Sequence, residues 1–307
     1  MVKIRIVLLL IVAAIVPATS SADPGILLLA HGGSKEWNAR VLDLAQKVDR
    51  TRPVEVAFGM ATRGNIQAAV DRLSARGVTE IVAVPLFVSS WSSVVTSTEY
   101  LLGLRAEAPK DLALFSRMNH PDPAAPAMAH SGHQMEAPPS GTTPVEAKAR
   151  ITRMTPALNA HPIAADILQT RARALSRNPA GEAVVIVAHG PGPDDDNQRW
   201  LQDMRGLAAS IAGDVPFASI DCLTLRDDAP AAVRDAATAE LRALVSTRIA
   251  EGRRVLIVPL LMSFGGIERG IAKRLEGLPY TLADQALMPD DRLVTWVLEM
   301  ASAHTER

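Results

Sequence analysis

The sequence predicts an α/β protein made of two tandem, doubly wound parallel-sheet domains that repeat one another. Three observations carry this expectation. Two short aliphatic runs, Ile26-Leu-Leu-Leu-Ala-His31-Gly and Val184-Val-Ile-Val-Ala-His189-Gly, each stop at Ala-His-Gly. Runs of that length bounded by glycine read as strands buried on both faces. Between such runs the apolar residues recur at helical spacing, which gives the β-α-β order of a parallel sheet. A second strand-like run carrying Val-Pro-Leu also occurs twice, at Val84-Pro85-Leu86 and Val258-Pro259-Leu260. The repeating unit, about 140 residues, is domain-sized.

In the first half, the strand ending at Ala30 leads into a helix over 35–50. Trp37, Val41, Leu44, Ala45 and Val48 share one face of it, and Ser34 is placed to cap it. Pro53 breaks the pattern, and residues 54–58 alternate as a strand. Residues 65–76 are helical, with Ile66, Ala69, Val70 and Leu73 together; Gly77 ends that helix, and 81–87 is a third buried strand. The second half repeats the order. After His189-Gly a longer turn over 191–196 precedes a helix carrying Trp200, Met204, Leu207 and Ile211. A strand over 217–225, a helix over 231–250 stopped by Gly252, and a strand over 255–261 follow. Each half closes alike, through 157–163 into a helix past Leu168, and through 286–292 into one past Met300.

The ends and one insertion stand outside this pattern. Lys3 and Arg5, the apolar stretch 6–16 and the small residues Ser20-Ser21-Ala22 have the form of a secretory signal peptide over 1–22. The apolar stretch is short for a membrane helix, so the mature chain is expected without a transmembrane segment, exported and periplasmic. A retained amphipathic anchor is the alternative reading. The domains are expected over 23–180 and 181–307. Residues 118–148 contain Pro121, Pro123, Pro126, Pro138 and Pro139 and no periodicity, as in a disordered insertion. They also carry Met118, His120, Met128, His130, His133 and Met135, donors that suit soft or borderline metals. A loop of biased composition without a task accounts for them equally.

Composition excludes some functions. With 32 Lys plus Arg against 33 Asp plus Glu, there is no basic footprint for nucleic acid. Aromatic residues are 4%, too few for base-stacking platforms. Cys222 is the single cysteine, so no internal disulfide forms; it reads as a buried small hydrophobe. Apolar helix faces suit burial against a sheet or against a second copy alike, so an oligomer stays open.

The chemistry converges on the strand ends. A histidine at the carboxyl end of a parallel strand stands at the rim where open α/β sheets bind ligands. The twofold pattern of strand-Ala-His-Gly, the Val-Pro-Leu strand and Leu158-Asn-Ala-His-Pro162 resembles the class II chelatases. These are the sirohydrochlorin cobalt- and ferrochelatases and, more distantly, protoporphyrin ferrochelatase. His31-Gly-Gly-Ser with Asn38 and Arg40, and Val84-Pro85-Leu86-Phe87, look most like the sirohydrochlorin type. The resemblance spans the mature chain apart from the insertion. It implies a tetrapyrrole held between two domains and a divalent metal (Co²⁺, Fe²⁺ or Ni²⁺) inserted without any organic cofactor. Neutral imidazole suits this task because it accepts a proton near neutral pH or ligates the metal.

The chain departs from that family at one place. The position that carries the second histidine of sirohydrochlorin chelatases falls on Ser93 counted from Pro85, and on Ile267 counted from Pro259. Glu268 stands where protoporphyrin ferrochelatase has its glutamate. The resemblance therefore implies His189 and Glu268 as the acid-base pair, with His31 as a further catalytic and metal contact, and His120, His130 and His133 as metal collectors. Arg63 and Arg226, which follow the second strand of each half, and Ser93 are the substrate-binding candidates. Each has a structural alternative. His31 and His189 can cap strand ends, Glu268 can answer a helix dipole, and the two arginines can be exposed loop residues. His161 before a proline reads as structural, and Asp194, Asp195 and Asp196 as a solvated turn. Two functions follow: a chelatase, or a non-catalytic periplasmic protein that binds metal or tetrapyrrole on the same fold. A metal chaperone acting through the insertion alone is a third.

Overall fold

A computed structural model of the chain describes residues 23–118, 122–123 and 141–303. The expected signal segment and His120, His130 and His133 lie outside the described residues. The first half contains β1 (Gly25–Ala30), α1 (Lys35–Asp49), β2 (Val54–Phe58), α2 (Arg63–Ala75), β3 (Glu80–Pro85), α3 (Ser93–Leu101), α4 (Leu112–Phe115), β4 (Arg150–Met154) and α5 (Pro162–Leu175). The second contains β5 (Glu182–Ala188), α6 (Asp194–Asp214), β6 (Ser219–Thr224), α7 (Ala231–Ala250), β7 (Arg254–Leu260), α8 (Ile267–Arg274), β8 (Thr281–Leu282) and α9 (Arg292–Ser302). Two four-stranded sheets result, ordered β2-β1-β3-β4 and β6-β5-β7-β8, and every pairing is parallel. This is the α/β class of tandem doubly wound sheets that the sequence predicts.

Alternation along the strands explains the layers. Ile26, Leu28 and Ala30 point into the same central core as Val184, Ile186 and Ala188, whereas Leu27 and Leu29 pack outward with Ile66, Val70 and Leu73 of α2. On the second sheet Val185 and Val187 pack outward with Leu241 and Val245 of α7 and Ile271 of α8. Residues covered on both faces can be aliphatic throughout, which is why the runs lack a polar phase.

Four helices fill the space between the sheets, and two of them are exchanged. Leu293, Trp296 and Val297 of α9 join this central core together with Trp37, Val41 and Leu44 of α1. Accordingly α9, the last helix of the second half, packs on α1 and β3 of the first, while α5 packs on α6 and β7 of the second. Guanidinium groups fasten both crossings. Arg153 of β4 donates to the carbonyls of Met300 and Ala301 at 3.1 and 3.0 Å, and Arg171 of α5 donates to that of Ala286 at 3.0 Å. One continuous core is therefore shared by both repeats.

The insertion needs a correction. Disorder was expected to Lys148, but residues 141–148 are described and bound to the first half. Val145 donates its amide to Leu101 at 2.8 Å, and the side chain of Gln67 both accepts from and donates to the backbone of Glu146. Local side-chain capture replaces the missing periodicity. Helices α3 and α4 and the two-residue strand β8 carry too little pattern for the sequence to announce them.

Candidate functional site

The strand order reverses between β1 and β3 and between β5 and β7, and the carboxyl ends beside such reversals open a crevice. His31 follows β1 and His189 follows β5. The loops 86–92 and 261–266 leave the neighbouring strands at the same rims. Contacts between the halves draw these loops to one seam. Arg40 of α1 donates to the hydroxyl of Ser263 at 2.8 Å, and Gly265 lies close to Trp37. On the other side, the indole of Trp91 donates to Asp203 of α6 at 3.0 Å, and that of Trp200 donates to the Trp91 carbonyl at 2.8 Å.

His31 is exposed, and its Nδ1 lies 2.9 Å from the carbonyl oxygen of Gly32. A carbonyl only accepts, so Nδ1 is the donor in this contact, which in the neutral ring leaves Nε2 as the acceptor. The turn behind it is closed by Asn38, whose side chain accepts the amide of Gly33 at 2.9 Å and donates to the same residue's carbonyl at 3.3 Å. Ser34 caps α1 by accepting from Trp37 at 3.2 Å, as the sequence predicts. A cavity of about 250 Å³ lies here, lined by His31, Gly32, Gly33, Asn38, Phe58, Gly59 and Pro123.

His189 is placed differently. Its side chain is 28% exposed, and Nε2 stands 3.6 Å from a carboxylate oxygen of Asp228, an ion-pair distance for the protonated ring. The following Gly190 has φ +73°, and a Cβ there would come within 2.5 Å of the Thr224 side chain. Only glycine turns the chain at this point. Asp228, in the loop after β6, carries no motif that would have singled it out in sequence.

Glu268 does not meet His189 through any hydrogen bond or ion pair among the described residues. Its carboxylate accepts the amides of Gly266 at 2.8 Å and Gly265 at 3.1 Å, with Arg269 at 3.8 Å. Burial pushes its carboxyl up, but the amide donors outweigh burial and hold it below the usual carboxylate range. Ser93 is the first residue of α3, and its carbonyl accepts the hydroxyl of Thr96 at 3.2 Å.

The two arginines proposed for substrate are occupied. Arg63 donates to the carbonyls of Thr143 and Pro144 at 2.9 and 3.2 Å, anchoring the end of the insertion. Arg226 donates to the carbonyls of Pro191 and Gly192 and pairs with Asp194 at 2.7 Å, bracing the turn behind His189. Backbone carbonyls left open by the two loops accept from the guanidinium groups. His161 caps α5 by accepting the amide of Ile163 at 3.3 Å. Asp194, Asp195 and Asp196 form the first turn of α6, where the helix dipole favours acids. Among the described residues no three His, Cys, Asp or Glu side chains gather as a metal site.

A larger cavity, about 660 Å³, lies against the edge strand β6 between α6 and α7. It contains no imidazole. Its one thiol, Cys222, is pushed up to about 12 by burial and is inert as a nucleophile near neutral pH. The chemistry therefore favours the smaller cavity at the rim.

The CbiX family model matches residues 25–175, which include His31, Ser93 and the whole first sheet. SirB from Bacillus subtilis with Fe³⁺ is a similar structure at a TM-score of 0.59 and 16% identity, with 92% of this chain and 96% of that one covered. SirB from Bacillus subtilis subspecies spizizenii in complex with cobalt gives 0.55 and 14%, covering 91% and 96%. CbiX, described as the terminal enzyme of siroheme biosynthesis in denitrifying bacteria, gives 0.50 and 17%, covering 91% and 100%. At these identities the likeness is one of fold. No curated protein matches the sequence.

Proposed function

We propose that the chain is a class II chelatase of the CbiX type, whose family model matches residues 25–175, and that it inserts a divalent metal into a sirohydrochlorin-type tetrapyrrole. Co²⁺, Fe²⁺ and Ni²⁺ are the metals to test, since imidazole ligands suit them. Two of the structurally similar proteins were solved with cobalt or Fe³⁺.

The observation that carries the reading is His31, exposed at the rim cavity with no hydrogen bond at Nε2 among the described residues. Insertion exchanges two pyrrole N–H bonds for two nitrogen–metal bonds and releases two protons, with no electron transferred. His31 Nε2 has the lone pair needed to take one pyrrole proton or to hold the arriving metal. His189 offers a second base, and Asp228 stabilises the imidazolium that forms on it. The cavity beside His31, about 250 Å³, suits a metal ion with its waters, and the macrocycle lies across the seam. Glu268 contributes negative charge through a carboxylate held ionised, and it shapes the loop opposite α1.

Export remains part of the proposal. The segment 1–22 directs the protein to the periplasm, and the His/Met-rich insertion gathers metal there. Among the described residues no helix is long and apolar enough to cross a membrane.

The test is anaerobic insertion of each metal into sirohydrochlorin, followed by absorbance, with protein beginning at Asp23. A rate above the uncatalysed background is expected for at least one metal. A spectrum that shifts on mixing but never develops the metallated form would support a binding protein instead.

A further inference from the structure

We infer that Arg199, stacked on Trp91 at the seam, anchors a carboxylate arm of the tetrapyrrole. The inference rests on the chelatase reading above and adds to it the residue that orients the substrate. A sirohydrochlorin-type ring is a polycarboxylate, so its site needs cationic donors that the fold has not already engaged. Arg63 and Arg226 are engaged with backbone carbonyls, and Arg40 with Ser263.

Arg199 differs from these. Its guanidinium carbon lies 4.7 Å from the centroid of the Trp91 ring, and among the described residues it has no hydrogen bond or ion pair. The ring contact engages the charge of the guanidinium without using any of its N–H donors, and two of these form the fork that can receive a carboxylate through parallel bonds.

The platform beneath it is rigid. Asp203 holds the indole nitrogen of Trp91 at 3.0 Å, and Trp200 holds the Trp91 carbonyl at 2.8 Å. The fork is thus set before a ligand arrives, which lowers the ordering cost of binding. The location fits as well. Trp91 belongs to the loop leaving β3, at the rim of the first sheet, while Arg199 sits early in α6, the helix that follows the His189 turn. A carboxylate held there fixes the macrocycle across the seam that His31 and His189 border.

Equilibrium binding of metal-free sirohydrochlorin, read by absorbance and tryptophan quenching, tests this in wild type, Arg199→Lys and Arg199→Ala. The same titrations with the fully esterified macrocycle remove the carboxylates from the ligand. We expect Arg199→Ala to weaken sirohydrochlorin binding about tenfold, the loss of one bidentate charge-assisted contact. Lysine, which lacks the fork, should recover only part of this, and the esterified ring should not distinguish the variants. Equal affinity of wild type and Arg199→Ala for sirohydrochlorin, in folded proteins, would overturn the inference and leave the chelatase reading standing. Failure of wild type to bind sirohydrochlorin at all would overturn both.

Discussion

The carboxylate of Glu268 accepts the amide hydrogen of Gly266 at 2.8 Å and that of Gly265 at 3.1 Å, so it clasps the loop that Gly265 lays beside Trp37 of the other half. Glutamine at this position keeps an oxygen that accepts both amides; alanine leaves them without a partner. Glu268→Gln should therefore cost less than about 1 kcal/mol, and Glu268→Ala about 1–3 kcal/mol. Thermal unfolding checks this, and equal losses in the two variants would contradict the clasp.

The same carboxyl gives a pH dependence. Its pKa is lower folded than unfolded, so its contribution is present above the ordinary carboxylate range and disappears as pH falls through the lowered value. The stability difference between wild type and Glu268→Gln should shrink on acidification below the ordinary range. A difference that widens there would have the wrong sign.

Gly190 and Gly252 provide a matched comparison. Both have positive φ, +73° and +76°, but a Cβ on Gly190 would meet Thr224 at 2.5 Å and one on Gly252 would meet nothing within 4 Å. Gly252→Ala should cost about 1 kcal/mol from the backbone alone. Gly190→Ala should cost visibly more and shift the His189 ring, which the imidazole signals of an NMR spectrum would report. Equal effects would mean that the close approach to Thr224 is unimportant.

The exchanged helices make the halves interdependent. Trp296 of α9 is fully buried in the core shared by both halves, so Trp296→Ala should cost about 3–5 kcal/mol and lower a single cooperative transition. Its indole nitrogen has no hydrogen-bond partner among the described residues. Trp296→Phe removes that orphaned donor and should cost much less. A fragment over 23–180 lacks α9 and leaves α5 without α6 and β7; circular dichroism should find no cooperative unfolding until a fragment over 181–303 is added. A first half that melts cooperatively alone would contradict the shared core.

Cys222 should react slowly with a thiol reagent at pH 8, since burial pushes its thiol up to about 12. Denaturant should restore the rate of a free thiol. Rapid modification of the native protein would show that β6 opens.

The parts of this molecule that were legible in sequence are those with local causes. The buried strands around Leu28 and Val185, the capping of α1 by Ser34 and the two rim histidines follow from runs of residues that need no distant partner. The exchange of α5 and α9 was not legible, because Ile167 and Trp296 show apolar faces without saying which sheet they cover. The partners of Arg63 and Arg226 were not legible for a related reason: they are backbone carbonyls brought near by the fold. Asp228 and the stack of Arg199 on Trp91 join residues far apart in sequence, and only the folded chain puts them together. Ser93 was legible as a missing histidine, and its place in the first turn of α3 emerged with the structure.

The most direct measurement is the rate of Co²⁺ insertion into sirohydrochlorin by wild type, His31→Ala and His189→Ala under the same anaerobic conditions. His31, whose Nε2 has no hydrogen bond among the described residues, predicts a wild-type rate above background that falls about 100-fold or more in His31→Ala, the loss expected when a general base is removed. The half-buried, Asp228-paired His189 predicts a smaller fall. A wild type no faster than the uncatalysed reaction, or a His31→Ala variant as fast as wild type, would contradict the account.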